Sequence, residues 1–439
     1  MAFREQEVTE GCDVRVNDVL ETLLQKLDEP LARFDMLDRY YYGKQPLSYL
    51  APEAKEALGD RFGRMATNLP RLAVTALAER LRIRGFATNG DDATAWSDWV
   101  ANNLDQLAGL VHREALTLGK SYVIVWGDGG NVQATVESAR QVSVLRDVVT
   151  REVLAGVKRW WTSEGAYAVL YLPDRIVKYH HPSTGPQITG FKQVESIPNR
   201  LGVVPVTEFI NGDRILDEGV SEIDDLAPLV DALNKTLSDM MVSSEYVGRP
   251  RRWATGIELE EDAEGNPVNP IPEGHRAMIS ESADTKFGQL PGADLGAYES
   301  SVNVLLGQIM AVSALPAHYV GVTTSNPASA DALRASEASL TARAEARQAQ
   351  FGPAWERVMK LMIAVRTRRN MSDIEANVRW ADAATRSIAQ EADAVVKLVQ
   401  AGILPATYAL ARLGYEQDEI NQIRAAKRAD MFDRGLGAV

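Results

Sequence analysis

The fold is decided by the stretch Gly219–Arg369 of this 439-residue chain. It opens with SEIDDLAPLVDALNKTLSDM (residues 221–240) and, after a Gly/Pro-rich insert, continues with LGAYESSVNVLLGQIMAV (residues 295–312). Apolar residues in both segments alternate three and four positions apart, which gives each predicted helix a narrow apolar seam. The seams consist of Ile223, Leu226, Val230, Leu233, Leu237 and Met240, and of Leu295, Tyr298, Val302, Leu305, Ile309 and Val312. A narrow seam suits a helix that packs on one or two neighbours, as in a ring of repeated subunits.

The rest of this stretch predicts an insert, a loop and a long helix. Prolines and glycines interrupt residues 246–292, which we interpret as an irregular β insert projecting from a helical hairpin. Pro316 ends the second helix, and Gly321 and Pro327 keep the following residues in a loop. A helical composition then runs from Ser329 to Arg369, with a kink expected at Gly352-Pro353. Alternating arginines and glutamates on this helix predict ion pairs within it and between subunits.

The flanking regions predict an α+β protein that is predominantly helical. Helices are expected before residue 101, from Asn68 onward in particular, and again over Leu104–Leu118. A period of two over SYVIVWG (residues 121–127) and VQATVES (residues 132–138) predicts a hairpin, with further strands near 153–162, 166–172, 175–180, 188–194 and 203–210. A strand near 375–380 and two or three short helices complete the chain.

Composition excludes several classes of protein. Hydrophobic residues make up 45% and charged residues 24%, and no run approaches the ~18 apolar residues of a membrane span. The start, MAFREQEVTEGCDV, shows no secretory signal, so synthesis in the cytoplasm is expected. Cys12 is the only cysteine and there are five histidines, which argues against disulfides, a metal site or a bound cofactor. A net charge of −13 disfavours tight DNA binding but suits a channel along which DNA must slide.

Enzymatic sites were sought and none was recognised. Gly119-Lys120-Ser121 ends like a phosphate-binding loop, but Glu114 stands where that loop needs glycine, and here a helix precedes and a strand follows. Two alternatives remain open: a non-catalytic helical scaffold unrelated to DNA, and a nucleotide-driven DNA enzyme such as a motor. An assembly protein fits better than an enzyme.

Two groups of residues are candidates for contact with a partner. Arg249, Arg251 and Arg252 cluster at the start of the insert, where they balance the acidic Glu260 and Glu261 or bind a partner. The second group, Thr323, Thr324, Ser325 and Asn326, offers uncharged hydrogen-bonding groups in the loop. Such groups suit brief contact with a phosphate backbone, although the loop could also be a plain connector.

The order of these elements and several local sequences resemble the portal proteins of tailed bacteriophages, in the siphovirus-type branch. The resemblance covers most of the chain. It is carried by DRYYYGKQPLSYL (38–50), NLPRLAVTALAERLRIRGF (68–86), EALTLGKSYVIVWGD (114–128), VVPVTEFING (203–212), residues 221–240, NPASADALRASEASLTARAEARQAQFGPAW (326–355) and ADAVVKLVQAGILPATYALARLG (392–414).

The resemblance implies a portal-type fold and a division of the chain. It assigns 1–218 and 370–384 to a mixed α/β wing, 219–246 and 293–315 to two stem helices, 247–292 to a small β clip, 316–328 to a tunnel loop, 329–369 to a long kinked spine helix, and 385–439 to a short helical crown.

The resemblance also implies a function and partners. The protein would form a dodecameric ring at one capsid vertex of the virion, through which double-stranded DNA is packaged and ejected. Its partners would be the terminase large subunit and the head–tail adaptor at the clip, and the major capsid and scaffolding proteins; no membrane partner is implied. The clip residues would be Arg249–Arg252 with Glu260 and Glu261, and Thr323–Asn326 would line the channel.

Overall fold

The computed structural model describes residues 16–46, 66–90, 92–128, 130–212, 214–248, 252–256, 260–261, 263, 265–268, 283–289, 294–322, 330–384, 388–413, 415 and 417–436. The fold is a mixed α/β one, as the sequence predicts. Its helices are 16–28 (α1), Leu31–Tyr41 (α2), Leu69–Ala78 (α3), Asp92–Ala101 (α4), Leu104–Leu118 (α5), Ala227–Gly248 (α6), Leu295–Ser313 (α7), Ala330–Ser336 (α8), Ala338–Thr367 (α9), Ile388–Gln400 (α10), Ala406–Arg412 (α11) and Gln417–Leu436 (α12).

The strands form several small antiparallel sheets. They are Ile83–Thr88 (β1), Lys120–Asp128 (β2), Asn131–Ser138 (β3), Val142–Arg146 (β4), Val153–Thr162 (β5), Gly165–Tyr171 (β6), Arg175–His181 (β7), Lys192–Pro198 (β8), Val206–Ile210 (β9), Arg252–Thr255 (β10), Glu260–Glu261 (β11), Pro267–Val268 (β12), Lys286–Gln289 (β13) and Ala376–Trp380 (β14). Their orders are β3-β2-β9, β4-β5-β6-β7-β8, β1-β14, β10-β13 and β11-β12.

The predicted hairpin forms the centre of the main core. Gly119 ends α5 in the left-handed region, at φ 94°, and the chain enters β2 at once, which confirms the predicted turn from helix to strand. Residues Ser121–Val125 of β2 are buried because β3 and β9 flank the strand and helices cover the sheet. Strand β4 was not predicted, and β8 lies a few residues beyond its predicted position.

Helix α9 supplies the largest buried side chains of the main core. Phe351 and Trp355 are fully buried, and the Trp355 ring lies 4.5 Å from the Phe209 ring of β9 and 5.0 Å from the Trp99 ring of α4. A second, smaller core forms where four leucines of α1 pack on the five-stranded sheet. The leucines are Leu20, Leu23, Leu24 and Leu27.

Gly352-Pro353, where a kink is predicted, does not interrupt the helix, and the kink itself stays a prediction. Helix α9 is continuous through both residues, and the interruption in the long helix lies instead at Glu337, between α8 and α9. Proline disfavours a helix interior by about 3 kcal/mol, so packing must outweigh that preference. The buried neighbours Phe351 and Trp355 provide this packing, and the missing side chain of Gly352 lets Val378 and Trp380 of β14 approach.

Three arginines of α9 form ion pairs with residues outside the helix, and the predicted pairing within the helix stays a prediction. Arg347 and Arg343 reach Glu222, with shortest N–O distances of 2.8 and 3.7 Å, and Arg366 pairs with Asp98 of α4. These pairs join α9 to other parts of the same chain. Pairing between subunits stays a prediction.

Candidate functional site

The two helices with apolar seams, α6 and α7, pack against each other and run antiparallel. Pro228 lies in the first turn of α6, where its missing N–H costs no hydrogen bond. Ile223 and Leu226 just before α6 are buried, as are Val230 and Leu233 within it. The Ser243 hydroxyl lies 3.0 Å from the Tyr298 hydroxyl farther along the pair. The predicted packing of two seamed helices is therefore present within one chain.

Helix α7 is apolar yet scarcely buried. Glu299 is its only charged residue, but Ile309 and Ser313 are its only buried residues, and Val304 is 65% exposed. A soluble helix of this composition ordinarily buries its apolar stripe. The exposed apolar surface of α7 is thus available for contact with another molecule.

The end of α7 is fixed by polar contacts that sequence reasoning missed. The Ser313 hydroxyl donates to the Ile309 carbonyl at 2.6 Å, and Arg343 of α9 donates to the Val312 carbonyl at 3.0 Å. Ala314 then turns the chain with φ 57°. These contacts satisfy carbonyls that a helix end leaves free, so the point where the chain leaves α7 is rigid.

The insert between α6 and α7 contains two short antiparallel ladders, as the predicted β insert requires. Arg252 pairs with Gln289, and the Trp253 ring lies so close to Gly288 that a Cβ there would meet it at 2.5 Å. Glu260 and Glu261 form the strand opposite Pro267–Val268. Arg252 is exposed, whereas Arg249 and Arg251 lie outside the described residues.

The loop that follows α7 begins as an ordered turn. Ala317–Val320 forms a 3₁₀ helix that ends at Gly321 with φ 78°, within the span 316–328 assigned to the loop. Thr323, Thr324, Ser325 and Asn326 lie outside the described residues, and their predicted channel role stays a prediction.

Arg80 joins the two sides of this loop. Its guanidinium donates to the Tyr319 hydroxyl at 3.4 Å on the side that enters the loop, and to Glu337 at 3.0 Å on the side that leaves it. It also reaches Thr341 at 3.3 Å and the Ala383 carbonyl at 2.7 Å. The Arg80 side chain is only 9% exposed, and a partly buried charge with several acceptors holds its geometry more firmly than a surface pair. We call Arg80, Tyr319, Glu337 and Thr341 the loop anchor.

The start of α6 is fixed to the body by close backbone contact. A Cβ on Gly119 would lie 2.6 Å from the Gly219 carbonyl carbon, and both glycines have positive φ. Ser221 donates to the Thr117 carbonyl, and Glu222 accepts from Arg347 at 2.8 Å. The helix pair, the loop and α9 therefore share one rigid base.

Two kinds of site were sought in the described residues, a metal-binding cluster and a membrane-spanning helix. Within the parts of the chain that the structure describes, no three His, Cys, Asp or Glu side chains are grouped to hold a metal ion. Nor does any helix in those parts combine the length and apolar character needed to cross a membrane. What the geometry provides is a fixed base carrying a projecting helix pair, an insert and a loop.

Comparison with known proteins gives a consistent result along the chain. The family model for "Phage portal protein, SPP1 Gp6-like" matches residues 20–431. The portal protein of Mycobacterium phage L5 is 28% identical over 438 residues, covering 91% of this chain and 89% of that protein. The portal protein of Mycobacterium phage D29 is 29% identical over 434 residues, covering 90% and 88%. None of these descriptions names a catalytic activity.

Solved structures with a related shape come from gene transfer agent particles. A chain of the native virion shows 12% identity and a TM-score of 0.49, covering 87% of this chain and 93% of that one. A chain of the native particle's neck, computed with C12 symmetry, gives 14% and 0.49 with the same coverage. These likenesses are too distant to support a conclusion about this chain.

Proposed function

Since the chain belongs to the SPP1 Gp6-like family of phage portal proteins, we propose that it forms a ring of about twelve subunits at one capsid vertex. Double-stranded DNA enters the capsid through the axial channel of this ring and later leaves through it. The observation that carries the proposal is the family match over residues 20–431. The protein is made in the host cytoplasm and resides in the virion.

The division of the chain follows the proposed ring. The wing comprises 1–218 and 370–384, the stem 219–246 and 293–315, the clip 247–292, the tunnel loop 316–328, the spine 329–369 and the crown 385–439. The contact between α6 and α7, with the two β ladders of the insert beyond them, supports the stem and clip assignments.

The tunnel loop is the proposed site of contact with DNA. Thr323–Asn326 offer neutral hydrogen-bonding groups, which contact phosphates without the counterion release that makes Lys and Arg contacts tight. The loop anchor supports this role, because Arg80 holds Tyr319 on the side that enters the loop and Glu337 on the side that leaves it. The chain's net charge of −13 also favours sliding over capture.

The clip is the proposed docking platform. Arg249, Arg251 and Arg252, with Glu260 and Glu261, meet the terminase large subunit during packaging and the head–tail adaptor afterwards. The exposure of Arg252 supports such a contact. The major capsid and scaffolding proteins surround the wing. Energy for DNA movement comes from the terminase, since the chain itself carries no recognisable nucleotide site.

A packaging assay with the tunnel loop altered tests this function. Deletion of Thr323–Asn326 is expected to leave the ring intact and to reduce the yield of DNA-filled heads strongly. Alanine replacement of Ser183 and Thr184, which are exposed in the turn between β7 and β8, serves as the control for a change of loop sequence. Normal packaging by the deletion variant would contradict the proposed role of the loop.

A matched test addresses the clip. Replacing Arg249, Arg251 and Arg252 together by alanine is expected to abolish adaptor binding while the ring still assembles. Adaptor binding at wild-type affinity would contradict the assignment of these arginines.

A further inference from the structure

A cleft of about 470 Å³ lies beside α9, away from the helix pair and the loop. Its walls come from the turn between β4 and β5, from strand β9, from the segment after β9 and from one face of α9. Four arginines line it, against three carboxylates: Arg146, Arg151, Arg214 and Arg357, with Glu152, Glu208 and Asp217. The cleft therefore carries an excess of positive charge in a chain whose net charge is −13.

One acidic group of the cleft, the Glu208 carboxylate, accepts hydrogen bonds from two neighbouring side chains. Arg146 donates to Glu208 Oε2 at 2.7 Å, and the Tyr122 hydroxyl donates to Glu208 Oε1 at 2.8 Å. Among the described residues, Glu208 forms no hydrogen bond or ion pair with the other three arginines of the cleft.

Arg357 is the arginine of the cleft whose side chain is only partly satisfied. Its Nη2 donates to the Val204 carbonyl at 3.2 Å, but its buried Nε has no hydrogen-bond acceptor, and no ion pair to it occurs among the described residues. Burial and the nearby charge of Arg146 lower the pKa of Arg357, and the charge of Glu152 opposes them. Thr207, which also lines the cleft, likewise has a buried hydroxyl without a partner. A buried polar group left unpaired is costly, and a carboxylate in the cleft would form an ion pair with the Arg357 guanidinium.

The rim of the cleft is strongly apolar. Ile215 lines it and is 91% exposed, and the adjacent Leu216 is 79% exposed. On the opposite wall, Val148 and Val149 precede the lining residues Thr150 and Arg151 and are 84% and 89% exposed. Exposed aliphatic side chains around a polar centre are typical of protein interfaces.

We propose that this cleft receives an acidic side chain from a second copy of this chain, and that the four rim aliphatics pack against that copy. The inference rests on the ring of the proposed function. A closed ring repeats one contact between two different surfaces, so a basic cleft on one copy meets an acidic surface on the next. A chain of net charge −13 offers such surfaces in abundance.

DNA is the rival occupant, and the rim argues against it. Phosphate contacts are made by polar and basic groups, whereas Val148, Val149, Ile215 and Leu216 offer a phosphate backbone nothing to bind. Adding an apolar partner surface to these residues removes their exposed area from water.

Two variants test the inference by different routes. Arg357→Met removes the charge and keeps the length of the side chain, and Ile215→Asp alters only an exposed rim residue, which leaves folding of the single chain unaffected. Lys192→Met is the matched control, since Lys192 is exposed on β8, far along the other sheet. Assembly is measured by sedimentation velocity over a range of concentrations, with circular dichroism melts to verify folding.

We expect each variant to weaken assembly about tenfold or more per subunit contact, as loss of a charge-assisted hydrogen bond or of apolar packing does. We expect Arg357→Lys to recover part of the loss and the control to assemble normally. Rings of wild-type stability in both variants would overturn this inference and leave the proposed ring standing. A wild-type chain that stays monomeric at every concentration, with and without the shell protein, would contradict both. Unchanged assembly with loss of DNA retardation in Arg357→Met would identify phosphate as the occupant and overturn the inference.

Discussion

Helices α9 and α7 differ in how far their apolar side chains are buried. Helix α9 buries side chains along most of its 30 residues, including Phe351, Trp355, Val358 and Met362. Helix α7 carries a single charge, yet over 19 residues only Ile309 and Ser313 are buried.

The difference distinguishes the body around α9, which is stable within one chain, from the surface of α7, which remains open to contact with another chain. The body around α9 has its own core, so its stability belongs to the single chain. Val302, Leu305, Leu306 and Val312 of α7 pack only partly against that core, and Val304 is 65% exposed. A second copy that covers this remaining surface, as the proposed ring requires, would stabilise the helix pair by mass action.

Removal of the Trp355 side chain is expected to have the largest effect on the body. Trp355→Ala leaves a cavity among Trp99, Phe209 and Phe351 and should lower the free energy of unfolding by about 3–5 kcal/mol. Urea unfolding followed by circular dichroism measures the loss. Trp253→Ala in the insert is the control, because Trp253 is 43% exposed and should cost less than about 1 kcal/mol. Equal losses in the two variants would contradict the contrast between body and projection.

The second effect concerns acid stability of the same core. Burial lowers the pKa of His112 from 6.5 to about 3, and Trp355 Nε1 donates to its Nε2 at 2.8 Å. Between these values the unfolded chain binds the extra proton, so stability falls as pH falls through this window, by about 1.4 kcal/mol per pH unit. His112 should therefore cost the body about 2 kcal/mol between pH 6.5 and 5.

His112→Gln removes this titration and should flatten the slope of stability against pH by that amount. Urea unfolding at several pH values from 7 to 5 gives the comparison. Parallel slopes for the two proteins would show that His112 stays accessible to protons in the folded body.

A smaller, local effect is expected at the loop anchor, where body and projection meet. Arg80→Lys keeps the charge but loses the forked geometry that reaches Tyr319, Glu337 and Ala383 together, which should cost about 1–2 kcal/mol. Hydrogen exchange should quicken in Ala317–Val320. Arg82→Lys is the matched control, since Arg82 is exposed and donates to the Glu79 carbonyl. Unchanged exchange in Arg80→Lys would show that the turn is held by other contacts.

A charge on the exposed face of α7 should have the smallest effect on the stability of the single chain and a large effect on ring assembly. Val304→Asp places a charge on the exposed apolar face of α7 and should alter the free energy of unfolding by less than about 0.5 kcal/mol. The same change should prevent ring formation, as measured by light scattering. Asn303→Asp introduces a like charge one residue away and is the control. Normal rings from Val304→Asp would show that this face stays open to solvent in the assembly.

Local periodicity was sufficient to predict many of the elements. The helix Leu104–Leu118, the hairpin of β2 and β3 and the seams of α6 and α7 all follow from apolar spacing, which depends on neighbours in sequence. Strand β8 was placed too early because its exposed residues carry no alternation that marks its ends.

Contacts between distant parts of the sequence could not be predicted in this way. Strand β1 pairs with β14 across nearly the whole chain, and continuity of α9 at Pro353 depends on that strand and on the core beneath it. In the sequence, Arg80 looks like an ordinary arginine at the end of a helix. Its role could not be predicted because its acceptors, on residues 319, 337, 341 and 383, are distant in sequence. The candidate DNA and clip residues rest on resemblance and stay predictions.

Imaging of the purified protein tests the central claim, that neighbouring copies complete the helix pair in a ring. Negative-stain images with mass from light scattering, taken with and without the shell protein, are expected to show rings of about twelve subunits with an axial hole. A compact single chain under both conditions would contradict the claim.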